Sequence, residues 1–250
     1  MQDLFAIAPL THDASSSQAP HAHSEGQLFW IQQGLMSAHT DAGQWAMPMG
    51  CLGWAPPGHR HGAAYHGPTR GHNFYFAEAW SRARMPPDIR VVRATPLLAA
   101  LLEALRRDDL DAERRAPYCL TLADALSREP CHPFYLPMPS DARLRNLAAR
   151  LMAQPASADD LDTLAHSAGM SRRTLMRRFQ NETGWSLGQW RRQMRLRHAL
   201  QALAEGASIT AAGMEAGYDS LGAFSSAFKR FLGKTPSEWQ AKAIKPGLPD

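Results

Sequence analysis

The chain has 250 residues and a mass of 27.6 kDa, with 44% hydrophobic and 20% charged residues; this excludes a disordered polypeptide and leaves room for one large or two ordinary domains. No apolar run reaches the ~18 residues of a membrane span, and the start MQDLFAIAPLTHD lacks the basic and apolar regions of a signal peptide. The formal charge of +4 is uneven, because residues 1–139 carry −2 and residues 140–250 carry +6, so the C-terminal part is suited to a polyanion.

Residues 1–20 are rich in Ser, Ala and Pro and read as a flexible N-terminus. Residues 21–93 alternate short apolar runs (QLFWI, NFYFAEAW, IRVV) with turn signals at Gly50, Pro56-Pro57-Gly58 and Gly67-Pro68, the pattern of a small β-barrel or sandwich. Eight of the 11 histidines lie before residue 73. His21 and His23 are two apart, and on a strand such residues face the same way. Residues 94–139 switch to helix. Leu97, Leu98, Leu101, Leu102 and Leu105 form an apolar stripe after Pro96, and a second helix is predicted over Tyr118–Arg128. The stripe is wide enough for a dimer interface. Pro130, Pro133, Pro137 and Pro139 then make a linker. Residues 140–250 read as helix almost throughout. The expected class is α+β: a β-barrel followed by an all-α domain. Cys51, Cys119 and Cys131 form no CxxC pair, which suits a reducing cytoplasm and no disulfide framework.

Two segments of the helical part are alike. Leu161-x-x-Leu164-Ala165-x-x-Ala168-Gly169-Met170 matches Ile209-x-x-Ala212-Gly213-x-x-Ala216-Gly217-Tyr218. Each ends in a glycine suited to a tight turn, then an N-cap residue (Ser171; Asp219 or Ser220), then a helix with apolar residues four apart, Leu175 and Phe179 or Phe224 and Phe228. That is a helix-turn-helix pattern, present twice and joined by a long helix from about Leu187 to Leu203. With Leu175 and Phe179 inward, Arg172, Arg173, Met176 and Arg177 face outward, where a recognition helix meets bases and phosphates.

From AGMSRRTLMRRFQNETGW to GKTPSEWQ, roughly Asp159 to Gln240, the chain resembles the DNA-binding domain of AraC/XylS-type transcription regulators. The resemblance implies two helix-turn-helix units set in successive major grooves. It places Arg173, Met176 and Arg177 of the first unit, and Leu221, Gly222, Ser225 and Ser226 of the second, toward bases. Lys229, Arg230 and Lys234 would hold phosphates. The sequence departs from the family at Gly213 and Ala212, and a helical Gly costs ~1 kcal/mol against Ala, so a looser second unit is expected. The tip of the second recognition helix also offers no side chain for bidentate base contact.

The N-terminal part resembles a cupin through His21-x-His23-x3-Gln27-x6-Gly34 and Gly50-x5-Pro56-x-Gly58-x2-His61. The resemblance implies a barrel of six to eight strands. His21, His23 and His61 would form a three-imidazole site for a divalent metal, with Gln27 where a carboxylate is usual. The leading reading is a sequence-specific, ligand-responsive transcription regulator. It would be a cytoplasmic homodimer acting on double-stranded promoter DNA, with a small-molecule effector and no catalytic activity. The alternative is a cupin metalloenzyme, a dioxygenase or isomerase, with a fused helical domain. Pro130-Cys131-His132 is similar to the active-site motif of DNA alkyltransferases but departs from it at Pro133-Phe134, and reads as a linker cysteine.

Overall fold

A computed structural model describes residues 4–131 and 135–244. Ten strands and ten helices occur among these residues. Strands β1 (Leu4–His12), β2 (Ser16–His21), β3 (Gly26–Gln33), β4 (Leu35–Thr40), β5 (Gly43–Pro48), β6 (Cys51–Ala55), β7 (His61–Tyr65) and β8 (Thr69–Phe76) come first, then helix α1 (Glu78–Arg84) and strand β9 (Arg90–Arg93). Helices α2 (Pro96–Leu105) and α3 (Ala112–Arg128) follow, then the short strand β10 (Tyr135–Pro137). The rest is helical: α4 (Ala142–Ala153), α5 (Leu161–Ser167), α6 (Arg172–Thr183), α7 (Leu187–Ala204), α8 (Ile209–Glu215), α9 (Leu221–Leu232) and α10 (Pro236–Ile244).

Two five-stranded sheets form, in the orders β1-β8-β3-β6-β9 and β10-β5-β4-β7-β2. The mixed α/β class is as expected, but residues 4–20, within the N-terminal stretch expected to be flexible, are largely strand. Strand β1 pairs with β8 and β2 with β7, so backbone hydrogen bonds to strands far along the chain order a segment whose composition suggested a loop. Strands β3–β9, seven in number, fall within residues 21–93, and β1, β2 and β10 join the sheets from outside that range.

The chain divides into two compact units, residues 1–38 with 47–133 and residues 39–46 with 134–250, so the tip of the β4–β5 hairpin groups with the helices. In the first unit, register places Leu28 opposite Trp54 and Phe74, and Trp30 opposite Leu52. Side chains on one face of a strand recur every second residue. Leu28, Trp30, Leu52, Trp54, Phe74, Phe76 and Val92 therefore share one face of the first sheet. They form one core with Leu98, Leu101, Leu102 and Leu105 of α2 and with Cys119, Leu122 and Leu126 of α3. This corrects the dimer expectation for the stripe: four of its five leucines are interior, and only Leu97, 54% exposed, is outside. Helix α3 begins earlier than expected, capped by the Asp111 side chain on Arg114 N–H, and accommodates Pro117. Cys51 and Cys119 are buried and Cys131 is exposed, all as free thiols; His132, Pro133 and Phe134 lie outside the described residues.

In the second unit Leu144, Leu147, Leu151, Leu164, Leu175, Phe179 and Trp190 form the core around α4 to α7. The Trp190 indole donates to the Pro137 carbonyl at 2.7 Å, fixing β10 to α7. Among the described residues no helix is long and apolar enough to cross a membrane.

Candidate nucleic-acid interface and histidine cluster

Both helix-turn-helix units have the geometry that their spacing implies. In the first, Gly169 takes φ +62° between α5 and α6, and the Ser171 hydroxyl caps α6 by accepting from Thr174 N–H at 3.2 Å. In the second, Gly217 takes φ +80°, and Ser220 caps α9 by accepting from Ala223 N–H at 3.2 Å. Ser220, not Asp219, is the cap. Helices α6 and α9 both run 12 residues and both end at a left-handed glycine, Gly184 or Gly233. Leu175, Phe179, Phe224 and Phe228 are fully buried. Helix α7 joins the units, starting in a capping box made by Ser186 and Gln189.

Burial of those inner faces turns the tips outward. Arg172, Arg173, Met176 and Arg177 on α6 are exposed, as are Leu221, Gly222, Ser226, Lys229 and Arg230 on α9, while Ser225 is half-buried. Arg172 pairs with Asp162 at 3.2 Å, whereas Arg173, Arg177, Lys229 and Arg230 have no ion-pair partner among the described residues. Lys234, outside α9, is exposed as well.

At Gly213, where the sequence suggests a looser second unit, α8 meets α9 closely. A Cβ at this position would lie 3.0 Å from the Phe224 ring, so the missing methyl lets α8 close onto α9.

Sequence reasoning missed three arginines of α7 and counted them as surface charge. Arg195 donates to the Pro155, Ser157 and Gly217 carbonyls at 3.0–3.1 Å, and Arg191 to those of Ser157 and Asp159 at 2.7 and 3.1 Å. They tie the α4–α5 loop and the turn of the second unit to α7. Arg197 is 4% exposed. The spacing of Arg191 and Arg195, four apart on one helix, was the available signal.

In the first unit the cupin-type residues come together. Strand register sets His21 opposite His61. His23 lies just beyond the end of β2, so the two neighbours do not share a strand as expected. A turn brings His23 back, held by Gly58 N–H donating to its carbonyl at 2.9 Å. Ring centroids are 4.9 Å apart for His21–His61, 5.2 Å for His23–His61 and 5.8 Å for His21–His23.

Each ring is oriented through its Nδ1–H, which donates to Ala19 O, Glu25 O or His59 O at 3.0, 2.7 or 2.8 Å respectively. That tautomer leaves each Nε2 with a lone pair, the arrangement in metal-binding histidines. The three ligand nitrogens lie within 4.8 Å of one another. A tetrahedral site with ~2.1 Å bonds has edges of ~3.4 Å, so side-chain adjustment closes the set on an ion. His61 Nε2 is buried without a partner, and burial holds the His61 pKa below its usual value. Gln27 Oε1 sits 2.9 Å from His23 Nε2, while its amide nitrogen donates to the Tyr75 hydroxyl. With the Gln27 amide turned over, its nitrogen donates to the His23 Nε2 lone pair and its oxygen accepts from the Tyr75 hydroxyl, so this contact by itself does not require an ion. The three Nε2 lone pairs of His21, His23 and His61 fit a divalent cation.

Comparison with known proteins agrees with both halves. A helix-turn-helix domain model matches residues 164–242, and an AraC-like ligand binding domain model matches residues 7–120. HTH-type transcriptional regulator NimR of Escherichia coli is 30% identical over 228 residues, covering 89% of this chain and 82% of that protein. HTH-type transcriptional regulator RipA of Corynebacterium glutamicum is 33% identical over 111 residues, 44% of this chain and 34% of that protein. Among solved structures, the DNA-binding domain of AdpA in complex with a target DNA is 32% identical, with a TM-score of 0.37, covering 38% of this chain and 87% of that one.

Proposed function

The chain belongs to the AraC family of transcription regulators, with a ligand-binding domain and a DNA-binding helix-turn-helix domain, and from that premise we propose how its residues divide the work. Helix α6 reads promoter bases through Arg173, Arg177 and Met176. Helix α9 contributes Leu221, Gly222, Ser225 and Ser226 at the groove, and Lys229, Arg230 and Lys234 on phosphates. The observation that carries this reading is the pair Arg173 and Arg177, exposed at the capped end of α6 with no counter-charge. Arginine in that position can donate bidentately to guanine O6 and N7. Arg172, tied to Asp162, orients the tip and adds a phosphate contact. The protein acts in the cytoplasm, where promoter DNA lies, and is not an enzyme. Footprinting the full chain on the DNA upstream of its own gene tests this. A protected segment is expected, and no shift of any DNA at low salt contradicts it.

The sensor half is a cupin-type module that takes a small-molecule effector, and His21, His23, His61 and Gln27 are its candidate divalent-metal set. The metal would act as a Lewis acid that the effector can ligate. The chain's own part is to fix three Nε2 lone pairs by the backbone bonds of Nδ1. Metal analysis of the purified protein should give about one ion per chain, lost in His61→Ala; full occupancy in that variant would remove the assignment. We assign homodimerisation to the outer faces of α2 and α3, where Leu97, Tyr118 and Leu120 are exposed apolar side chains. Leu97→Glu with Leu120→Glu should give monomers by light scattering, and an unchanged dimer would place the interface elsewhere.

A further inference from the structure

Helix α7 carries a charge that neither DNA binding nor packing accounts for. Arg197 Nη1 donates to the Gln44 carbonyl at 3.1 Å, and Nη2 to Gln44 Oε1 at 3.2 Å. Both acceptors are neutral. Nε is buried with no partner, and no carboxylate pairs with Arg197 among the described residues. Burial pushes its pKa down to about 10, so the group is still a cation at neutral pH. A buried cation without a counter-charge is one of the costliest arrangements in a protein interior. The neighbouring Arg195 shows the usual solution, with three carbonyls around a partly exposed guanidinium.

A cavity of about 50 Å³ lies against Arg197, lined also by Gln44, Leu136, Met152, Met194, His198 and Gln201. No acidic side chain is in that lining. Its polar walls are amides and an imidazole, and its apolar walls are two thioethers and a leucine. A space of this size with these walls suits a small monovalent anion better than a large or doubly charged one. We propose that this cavity binds a small monovalent anion, between chloride and acetate in size, as the counter-charge of Arg197. Gln44 pairs with Leu136 of β10 across the β5 ladder, so a bound anion also tightens the hairpin tip and β10 on α7.

The test uses the full chain without DNA, at fixed ionic strength. Thermal unfolding is followed in gluconate, sulfate, chloride and acetate, with chloride-35 NMR linewidth as a direct reading of binding. Chloride and acetate should raise the unfolding midpoint to a plateau relative to gluconate, and sulfate should give only the unsaturated rise of an excluded salt. Acetate should also remove the excess chloride linewidth. Arg197→Met, similar in length and uncharged, should lose both responses, and Arg197→Lys should keep them. Equal midpoints in chloride and gluconate overturn the proposal, as does an undiminished response in Arg197→Met. Should Arg197→Met fail to fold, the acetate competition on the unaltered protein decides: chloride linewidth that acetate leaves in place overturns it.

Discussion

The two helix-turn-helix units share a frame and differ at the tip. Both use a left-handed glycine in the turn, a serine cap, two buried apolar side chains four apart and a left-handed glycine after 12 helical residues. Yet α6 opens with Arg172 and Arg173, while α9 opens with Leu221 and Gly222. The frame is set by packing and capping, which tolerate little change. The tip faces outward and is constrained only by what it touches. The fold of one unit therefore predicts the fold of the other but not its contribution to recognition.

Large-to-small changes in the frame should have the biggest effect and should be alike in the two units. Phe179→Ala and Phe224→Ala should each cost about 3–5 kcal/mol in denaturant unfolding, since both rings are fully buried. A much smaller cost for Phe224→Ala would mean that the second unit is loose after all, and that Gly213 does not draw α8 onto α9. Removing the caps comes next. Ser171→Ala and Ser220→Ala should each cost about 1 kcal/mol, and a clear inequality would break the symmetry of the frames.

Salt dependence sharpens the account of the tips. Counting charge along the chain assigns +6 to residues 140–250, but Arg191, Arg195 and Arg197 bond backbone or Gln44 oxygens, and Arg172 and Arg178 are paired with Asp162 and Asp141. The side chains assigned to phosphates are Lys229, Arg230, Lys234 and Arg172, four in all, so the slope of log K against log salt should be about −3.6 per protomer. A slope near −5.4, as for six phosphates, would mean that arginines bonded within the domain, such as Arg178 and Arg191, turn to DNA on binding.

The smallest effect concerns acid. Helix α5 is capped by Asp160, whose carboxylate accepts from Thr163 N–H, and that bond holds its pKa below the usual 3.8. The matching helix α8 is capped by Ser208, which does not titrate. A carboxylate with a depressed pKa contributes stability above its unfolded value and loses it as the pH falls through the folded one. Hydrogen-exchange protection of α5 should therefore drop relative to α8 below about pH 3.8, and Asp160→Ser should remove the difference. Parallel loss in both helices of the unaltered protein would contradict the assignment.

Local rules made much of this legible. Glycine turns, serine caps and four-residue apolar spacing located both units and the long helix between them, because those signals act within a few residues. The histidine set was readable from motif spacing, although His23 reaches it through a turn and not along a strand. What was hidden depends on distant partners. Residues 4–21 are ordered by β8 and β7, the leucine stripe of α2 is covered by the sheet, and Arg197 is buried beside Gln44, 153 residues away along the chain. None of these partners is recorded in the local pattern of the segment itself.

The central claim is that α6 supplies most of the sequence specificity and α9 mainly affinity. Selection from a random DNA pool by the full chain, by Arg173→Ala and by Ser225→Ala with Ser226→Ala tests it most directly. The account predicts a cost of about 1–3 kcal/mol and one relaxed base position for Arg173→Ala, and an unchanged preferred sequence for the serine pair. If the serine pair loses its sequence preference while Arg173→Ala keeps it, the division of roles is reversed.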